Sequence, residues 1–309
     1  MRKLIAVAGP TAVGKTKYAI ETAKAFNGEI VSCDSMQLYK YMNIGSAKPT
    51  AEEQAEVKHW LVDEIDPKEP FSVAKYSEMA KDAIEDIFSR GRTPVIEGGT
   101  GLYLNSLLYD MDFSGAPVDM ELRATLENEA ELFGPEYIYN KLKDADPKAA
   151  GRIHPNNVKK VIRALEGAIN GSSIVDFKNC REKCKEYDTI LIGLTRNRPE
   201  LYDRINRRVD IMVEEGLFHE VEELLEMGLE EDDISMKGIG YKEIIGFFDG
   251  LYSQEEAIDL IKKNSRHLAK RQLTWFRRYE DMKWFNLSEY ESDDAAAGEI
   301  IKWVQTHGI

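Results

Sequence analysis

Short strand-like segments alternate with helix-patterned stretches through the first hundred residues of the chain. Segments with apolar centres, each the length of a buried strand, occupy residues 4–8, 29–32 and 94–97, and a weaker one occupies 59–62. Residues 72–90 carry apolar side chains at helical spacing and begin with a serine that can cap a helix N-terminus. This alternation predicts an α/β fold in which helices flank a parallel sheet.

The pattern changes in the middle of the chain. Residues 119–187 have the pattern of charged helices without a buried strand, and a strand-like run returns at 189–194. We therefore predict a discontinuous core, residues 1–115 and 188–309, and an inserted helical subdomain at 116–187. Within the second part of the core, we predict a helix that begins at Pro199 and others over residues 254–278 and 293–304.

The segment between the first strand and the first helix matches the phosphate-binding pattern G-x-x-x-x-G-K-[ST]. Its residues are Gly9, Pro10, Thr11, Ala12, Val13, Gly14, Lys15 and Thr16. In such a loop the glycines let backbone N–H groups close around phosphate oxygens, while the helix N-terminus and the lysine add positive charge. The final threonine offers a hydroxyl ligand to Mg²⁺ on the same phosphates. The pattern predicts a P-loop NTPase-like core, and an ordinary glycine-rich turn is the alternative.

Polar residues that follow the other predicted strands are also site candidates. Asp34 stands just past the second strand, and Thr100 lies in a second glycine-rich turn. Ligands of open α/β sheets bind at the carboxyl ends of the strands, so Asp34 is either a site carboxylate or an Asx turn or helix cap. Arg204 and Arg208 share one face of a predicted helix, and either could reach an anion.

Composition excludes several classes of protein. The 309 residues are 43% apolar, and no segment approaches the roughly 18 apolar residues of a membrane span. The chain enters its first strand without a signal-like leader, so we predict a cytoplasmic location and no membrane partner. The cysteines, Cys33, Cys180 and Cys184, have neither disulfide-framework nor zinc-site spacing.

The net charge of −14 disfavours a nucleic-acid partner, but the charges are unevenly distributed. Residues 214–233 contain ten acidic side chains and no lysine or arginine, whereas residues 260–279 contain seven lysines and arginines and no acid. Lys159, Lys160 and Arg163 fall on or near one face of a predicted helix. Each basic cluster is either a solvated face or a surface that contacts phosphates, and the residues alone leave both interpretations open.

Seven short motifs run in order across nearly the whole chain. They are G-P-T-A-V-G-K-T at 9–16, D-S-M-Q-L-Y at 34–39, N-I-G-S-A-K-P at 43–49, G-G-T at 98–100, R-I-H-P-N at 152–156, G-Y-K-E at 240–243 and A-K-R-Q-L-T-W-F-R at 269–277. Together they resemble the tRNA dimethylallyltransferase family, also called the tRNA isopentenyltransferase family. Tyr41, where glycine is frequent, and Ser46, where threonine is usual, depart from the family pattern.

The resemblance implies a reaction and a set of catalytic residues. A dimethylallyl group would pass from dimethylallyl diphosphate to the exocyclic amine of the adenosine 3′-adjacent to the anticodon, with release of diphosphate. Asp34 matches the general base, Thr16 and Arg208 match ligands of the leaving-group oxygen, and Thr16 would also hold Mg²⁺. A base suits this chemistry because the amine lone pair is delocalised into the adenine ring.

The resemblance also implies a tRNA-binding surface. Positions that match the adenine or tRNA side of the family's channel are Asp34, Ser35, Met36, Gln37, Thr100 and Arg123. Positions that match tRNA-contacting segments are Lys159, Lys160, Arg163, Lys237, Gly240, Tyr241, Lys242, Lys270, Arg271, Gln272, Trp275 and Arg277. The expected partners are the anticodon stem-loop of tRNA and dimethylallyl diphosphate, and we expect a monomer. The alternatives are an adenylate isopentenyltransferase, a P-loop small-molecule kinase and a P-loop RNA-binding module without turnover.

Overall fold

The structure, a computed structural model, describes residues 2–111, 119–171 and 182–308. The chain divides into two compact units, one formed by Met1–Leu108 with Cys184–Ile309 and the other by Tyr109–Lys183. The predicted start of the helical insertion, at residue 116, lies outside the described residues, as does Cys180.

A six-stranded sheet forms the centre of the first unit. Its strands are β1 (Arg2–Ala8), β2 (Gly28–Ser32), β3 (His59–Trp60), β4 (Thr93–Gly98), β5 (Tyr187–Thr195) and β6 (Lys283–Asn286). The strand order is β3-β2-β4-β1-β5-β6, and every neighbouring pair is parallel. The predicted α/β fold with a parallel sheet is thereby confirmed.

Helices connect the strands and form the second unit. They are α1 (Lys15–Ala25), α2 (Ala51–Glu56), α3 (Val73–Ser89), α4 (Gly101–Leu108), α5 (Met120–Phe133), α6 (Pro135–Ala145), α7 (Pro147–Ala150), α8 (Val158–Ile169), α9 (Arg198–Glu214), α10 (Leu217–Glu226), α11 (Tyr241–Phe248), α12 (Gln254–Phe276) and α13 (Asp293–Gln305). The predicted cap of α3 is confirmed, since the Ser72 side chain accepts a hydrogen bond from the Lys75 N–H. Helices α5 to α8 belong to the second unit, which ends at Lys183, whereas residue 187, the predicted end of the insertion, is the first residue of β5.

The core of the first unit lies directly beneath the phosphate-loop segment. Ile5 of β1, Ile192 of β5, Tyr18 of α1, Leu201 of α9 and Ile300 of α13 belong to one buried cluster, and each is at most 1% exposed. Burying an aliphatic side chain of this size contributes about 1.5–3 kcal/mol relative to leaving it exposed. Because residue 9 follows β1 directly, the loop starts from a tightly packed strand.

Parallel pairing brings the carboxyl ends of the strands to one edge of the sheet. In β1, Val7 pairs with Glu97 of β4 on one side and with Ile192 of β5 on the other. The segments that follow β1, β2 and β4 therefore lie along the same edge. In open α/β sheets this edge is where ligands bind.

A buried carboxylate fixes the opposite end of β2. Glu29 is 1% exposed and accepts hydrogen bonds from Trp60 Nε1 at 2.8 Å, Arg90 Nη2 at 2.8 Å and Arg92 Nη1 at 2.9 Å. The hydrogen bonds from Arg90, followed by that from Trp60, lower the pKa of Glu29 from 4.5 to about 2 against the opposing effect of burial. The ionised form therefore stabilises the fold above about pH 5, and this contribution is lost as the pH falls towards 2.

We expect Glu29→Gln to lower the free energy of unfolding at pH 7 by about 1–3 kcal/mol, because the arginines keep their positions but lose a charged acceptor. The difference from wild type should narrow as the pH is lowered from 5 towards 3, which urea denaturation at several pH values measures. Glu85→Gln is the matched control, since Glu85 pairs with Arg2 on the surface and should contribute less than about 1 kcal/mol. An equal, pH-independent loss in both variants would contradict this account.

Candidate active site

The phosphate-loop segment turns sharply into α1. Gly14 precedes the helix with a φ of +105°, in the left-handed region that favours glycine. Ala12 also has a positive φ, of +61°. The loop has the strand–turn–helix context that its sequence pattern requires, because β1 ends at Ala8 and α1 begins at Lys15.

Side chains from distant parts of the sequence hold the loop from outside. Gln272 Oε1 accepts a hydrogen bond from the Thr11 N–H at 2.8 Å. Arg196 Nε donates to the Val13 carbonyl at 3.1 Å, and Arg204 Nε donates to the Ala12 carbonyl at 3.0 Å. These contacts hold the backbone of the loop in one conformation. Preorganisation of this kind reduces the entropic cost of binding an anion.

Four charged side chains share the space next to the loop. Burial lowers the pKa of Lys15, while the negative charges of Glu97 and Asp34 oppose that shift and the positive charge of Arg208 adds to it. Burial also lowers the pKa of Arg208, again opposed by Glu97 and, to a smaller degree, Asp34. The Lys15 ammonium donates to the Pro10 carbonyl at 3.2 Å, within its own loop. The cluster thus combines two cations that can bind phosphate with two carboxylates.

Asp34 forms the turn that was one of its two predicted roles, and it also lies in the charged cluster. Its Oδ1 accepts a hydrogen bond from the Met36 N–H at 2.9 Å, which closes an Asx turn after β2. Thr100 supports the same turn, since its Oγ1 accepts a hydrogen bond from the Ser35 N–H at 3.1 Å. The structural and chemical roles are compatible because the carboxylate has a second oxygen.

The close approach of β2 and β4 requires a glycine at position 98. A Cβ at Gly98 would stand 2.1 Å from the carbonyl oxygen of Cys33. The Thr100 N–H donates to that same oxygen at 3.1 Å. The two turns that carry Asp34 and Thr100 are therefore joined backbone to backbone, and the predicted placement of Thr100 at this edge agrees with the structure.

The two candidate arginines of α9 have different surroundings. Arg204 bonds to the loop backbone at Ala12, so its guanidinium supports the loop. Arg208 instead lies in the electrostatic field of Glu97 and Asp34 and acts on Lys15. The sequence pattern alone left both open, and the structure gives the two guanidinium groups different surroundings. Which of them contacts an anion on the loop stays a prediction.

Glu97 is a site residue that the sequence analysis missed. It is 3% exposed at the carboxyl end of β4, opposite Val7 of β1. Burial, reinforced by the charge of Asp34 and opposed by that of Lys15, raises its pKa from 4.5 to about 7. The sequence signal that could have identified Glu97 is an acidic residue at the end of an apolar strand, directly before two glycines.

The predicted tRNA-binding residues fall into exposed and covered groups. Those with exposed side chains are Lys159, Lys160, Arg163, Lys237, Lys242, Lys270, Arg271 and Arg277. Those that are partly covered are Asp34, Ser35, Met36, Thr100, Arg123, Gln272 and Trp275. Among the latter, Arg123 forms an ion pair with Glu166 within the second unit, and the Gln272 Nε2 donates to the Gly99 carbonyl at 3.0 Å. The roles of these residues towards RNA stay predictions.

The remaining three predicted tRNA-binding residues are buried. Tyr241 has no exposed surface, and its hydroxyl donates to Glu220 Oε1 at 2.9 Å. Gln37 is 6% exposed and bonds to Ser32 at 2.9 Å, and Gly240 is buried next to Tyr241. The Tyr241 side chain is part of the protein core and joins α11 to α10 through Glu220. The roles of these three residues towards RNA stay predictions.

Known proteins resemble this chain over almost its whole length. The family model described as IPP transferase matches residues 37–279. A tRNA dimethylallyltransferase from Alkaliphilus oremlandii is 53% identical over 307 residues, which cover 99% of this chain and 98% of that protein.

None of the described helices is both long enough and apolar enough to cross a membrane.

Two solved structures are also similar. The full-length tRNA isopentenylpyrophosphate transferase from Bacillus halodurans has 45% sequence identity and a TM-score of 0.75, and the alignment covers 99% of this chain and 96% of that one. A eukaryotic dimethylallyltransferase acting on tRNA has 27% identity and a TM-score of 0.83, with 99% of this chain and 79% of that one covered.

Proposed function

The chain belongs to the IPP transferase family, and we infer from this membership that it is a tRNA dimethylallyltransferase. The observation that carries the inference is the 53% identity to a tRNA dimethylallyltransferase across 99% of this chain. We propose that the donor is dimethylallyl diphosphate and that the acceptor is the exocyclic amine of the adenosine 3′-adjacent to the anticodon. We also propose that the enzyme is a monomer and acts in the cytoplasm, where its tRNA substrate is found.

The loop from Gly9 to Thr16 is proposed to bind the diphosphate rather than a nucleotide. Its conformation is fixed from outside by Gln272, Arg196 and Arg204, and a helix N-terminus with its orphan N–H groups favours anions. Lys15 and Arg208 lie close enough to each other for their charges to interact. Both would stabilise the negative charge that develops on the leaving diphosphate.

A magnesium ion fits the donors next to this loop. Thr16 follows Lys15 at the start of α1 and carries the hydroxyl that phosphate loops direct at the metal. Glu97 adds a buried carboxylate oxygen beside the same loop. Oxygen ligands of this kind suit Mg²⁺, which would supply positive charge to the departing diphosphate.

Asp34 is proposed to act as the general base. The amine nitrogen of adenine forms a bond to C1 of the dimethylallyl group while the bond between C1 and the diphosphate oxygen breaks. The electron pair of the broken bond leaves with diphosphate, and the amine proton passes to the Asp34 carboxylate. Asp34 and Lys15 interact electrostatically, so the diphosphate of the donor could rest on the loop while the acceptor amine of the tRNA lies at the carboxylate.

The exposed basic residues are proposed to bind the tRNA backbone. Lys159, Lys160 and Arg163 all lie on α8 with exposed side chains. Lysines and arginines on such a surface release counterions when they neutralise phosphates. Because the target base lies in a loop, it can be unstacked and drawn into the protein, as enzymes that modify bases commonly do.

We expect the double variant Lys159→Ala with Lys160→Ala to bind tRNA more weakly and to reduce the slope of log affinity against log salt by about 2. Filter binding or fluorescence titration over a series of salt concentrations measures the slope. Lys143→Ala with Lys148→Ala is the control, because those lysines are also exposed in the second unit but match no tRNA-contacting segment. If the first double variant has the wild-type slope, the α8 lysines form a solvated surface only.

The assignment is tested by incubation with dimethylallyl diphosphate, Mg²⁺ and unmodified tRNA, followed by mass analysis of the digested nucleosides. The expected product is an adenosine that carries one dimethylallyl group. Free adenosine monophosphate in place of tRNA tests the adenylate isopentenyltransferase alternative, and ATP as donor tests the kinase alternative. Product from free nucleotide alone, or phosphate transfer without prenyl transfer, would overturn the assignment.

A further inference from the structure

We propose that Glu97 is a second protein ligand of the Mg²⁺ site, holding the ion directly or through one of its bound waters beside the diphosphate. From the sequence, only Thr16 is assigned to this metal. The inference rests on the proposed function in one respect, that the loop binds diphosphate together with a divalent cation.

The sheet topology places Glu97 beside the phosphate loop. Strand β4 pairs with β1, with Glu97 opposite Val7 and Gly98 opposite Ala8, and the loop begins at the next residue. In P-loop NTPases the metal is held by the loop Ser or Thr together with a carboxylate, the Walker-B Asp. Glu97 follows the apolar residues Val95 and Ile96 of β4, and it offers an acidic oxygen at such a place.

The bonding of Glu97 differs from that of the other buried carboxylates. Glu29, Glu166, Glu220 and Glu243, all less than 9% exposed, each accept hydrogen bonds from protein donors. Within residues 2–111, 119–171 and 182–308, the Glu97 carboxylate has no hydrogen bond or ion pair in the structure. Burying a charged carboxylate without a partner is costly, so a buried acid is normally paired, coordinates a metal or takes up a proton. An unpaired acid at 3% exposure, beside the phosphate loop and in the field of two cations, is suited to hold a bound cation.

The surrounding charges are those that a metal–diphosphate complex would require. Lys15 and Arg208 act electrostatically on Glu97, as does the carboxylate of Asp34. The two cations suit a diphosphate, and the negatively charged carboxylate would suit a divalent cation bound together with it. Mg²⁺ is usually held in this way, by one or two carboxylates together with substrate phosphates and waters.

The competing explanation is that Glu97 serves only as a counter-charge for Lys15. The two roles predict different effects of neutralising Glu97 on the binding of diphosphate and of the cation. If Glu97 is only a counter-charge, its neutralisation strengthens diphosphate binding equally with and without Mg²⁺, because one repulsive charge is removed. If Glu97 holds the metal, neutralisation leaves metal-free diphosphate binding unchanged or stronger but weakens the binding of the cation.

The experiment compares wild type with Glu97→Gln, which keeps the shape of the side chain. Inorganic diphosphate is titrated by calorimetry with and without Mg²⁺, and Mn²⁺ is titrated in saturating diphosphate with its electron paramagnetic resonance signal as the readout. We expect Mn²⁺ affinity to fall by about 10- to 100-fold, with metal-free diphosphate affinity unchanged or raised. Unchanged Mn²⁺ affinity, or an equal gain in diphosphate affinity with and without metal, would overturn the proposal.

Glu53→Gln is the matched control for a general charge effect. The charge of Glu53 also acts on Glu97 and Arg208, and glutamine keeps the capping box in which Glu53 takes part. Mn²⁺ affinity in this variant should stay close to wild type, and a loss as large as that of Glu97→Gln would overturn the proposal.

A shorter acid provides the second variant. Glu97→Asp should fold, and its Mn²⁺ affinity should lie between those of wild type and Glu97→Gln, because the negative charge is kept but moved. An affinity below that of Glu97→Gln would count against the proposal. Thermal unfolding without ligand checks that each variant is folded. These readouts do not depend on prenyl transfer. Unchanged Mn²⁺ affinity in Glu97→Gln refutes the role of Glu97 even if the wild type transfers prenyl groups to tRNA, whereas a wild type that binds Mn²⁺ with diphosphate but transfers no prenyl group to tRNA refutes the proposed function.

Discussion

Asp34→Ala is expected to abolish prenyl transfer while leaving diphosphate affinity nearly intact. Loss of a general base costs about 10²- to 10⁴-fold in rate, and the adenine amine needs one because its lone pair is delocalised. Diphosphate should still bind, because the contacts that fix its loop come from Gln272, Arg196 and Arg204 rather than from Asp34. Single-turnover transfer to tRNA measures the rate, and calorimetry measures diphosphate affinity.

Asp34→Asn separates the chemical role from the structural one. An asparagine oxygen can still accept the hydrogen bond from the Met36 N–H that closes the turn after β2. This variant should keep the turn and lose the rate as Asp34→Ala does. If Asp34→Asn transfers prenyl groups at the wild-type rate, Asp34 is a turn residue and the base lies elsewhere.

Lys15→Ala should impair capture of the allylic diphosphate far more than tRNA binding. Removing one preorganised positive charge that stabilises the developing anion lowers the rate by about 10²- to 10³-fold. Lys15 lies close enough to Arg208, Asp34 and Glu97 to interact with their charges, so its removal changes the diphosphate site directly. The KM for dimethylallyl diphosphate and the Kd for tRNA, both at fixed salt, are the measurements.

Lys17→Ala is the control for this substitution. Lys17 lies two residues further along α1, is exposed, and pairs with Asp293 and Asp294 on the surface. Its loss should leave both constants close to wild type, because exposed ion pairs contribute little. Equal weakening of diphosphate and tRNA binding by Lys15→Ala would show that the loop has another role.

Local patterns were sufficient to predict the parts of the fold that depend on neighbouring residues. The apolar centres of β1, β2, β4 and β5 and the capped helix α3 are visible in the sequence, because burial and capping act over a few positions. Strand β6 was not predicted. Its four residues, Lys283–Asn286, include one buried side chain, Phe285, and carry too short a pattern to distinguish from a loop.

The features of the site that were not predicted, one residue and two side-chain contacts, depend on pairings between distant parts of the sequence. In the sequence, Glu97 is an acidic residue at the end of an apolar strand, and only the pairing of β4 with β1 places it beside the loop. Gln272 is separated by 261 residues from its partner Thr11, so no local pattern links them. Tyr241 lies in a basic motif, yet its hydroxyl is bonded to Glu220 in the core. The periodicity of apolar residues along the sequence does not show which distant residues come into contact.

We propose that one pocket holds a diphosphate on the loop and presents an adenine amine to Asp34. The most direct test is a crystal structure with an anticodon stem-loop, Mg²⁺ and an analogue of dimethylallyl diphosphate. In this analogue, sulfur replaces the oxygen that joins C1 of the dimethylallyl group to the diphosphate. We predict diphosphate oxygens on the N–H groups of residues 9–16 and the adenine amine at about 2.6–3.2 Å from an Asp34 carboxylate oxygen. Adenine bound away from Asp34, or diphosphate bound away from the loop, would contradict the account.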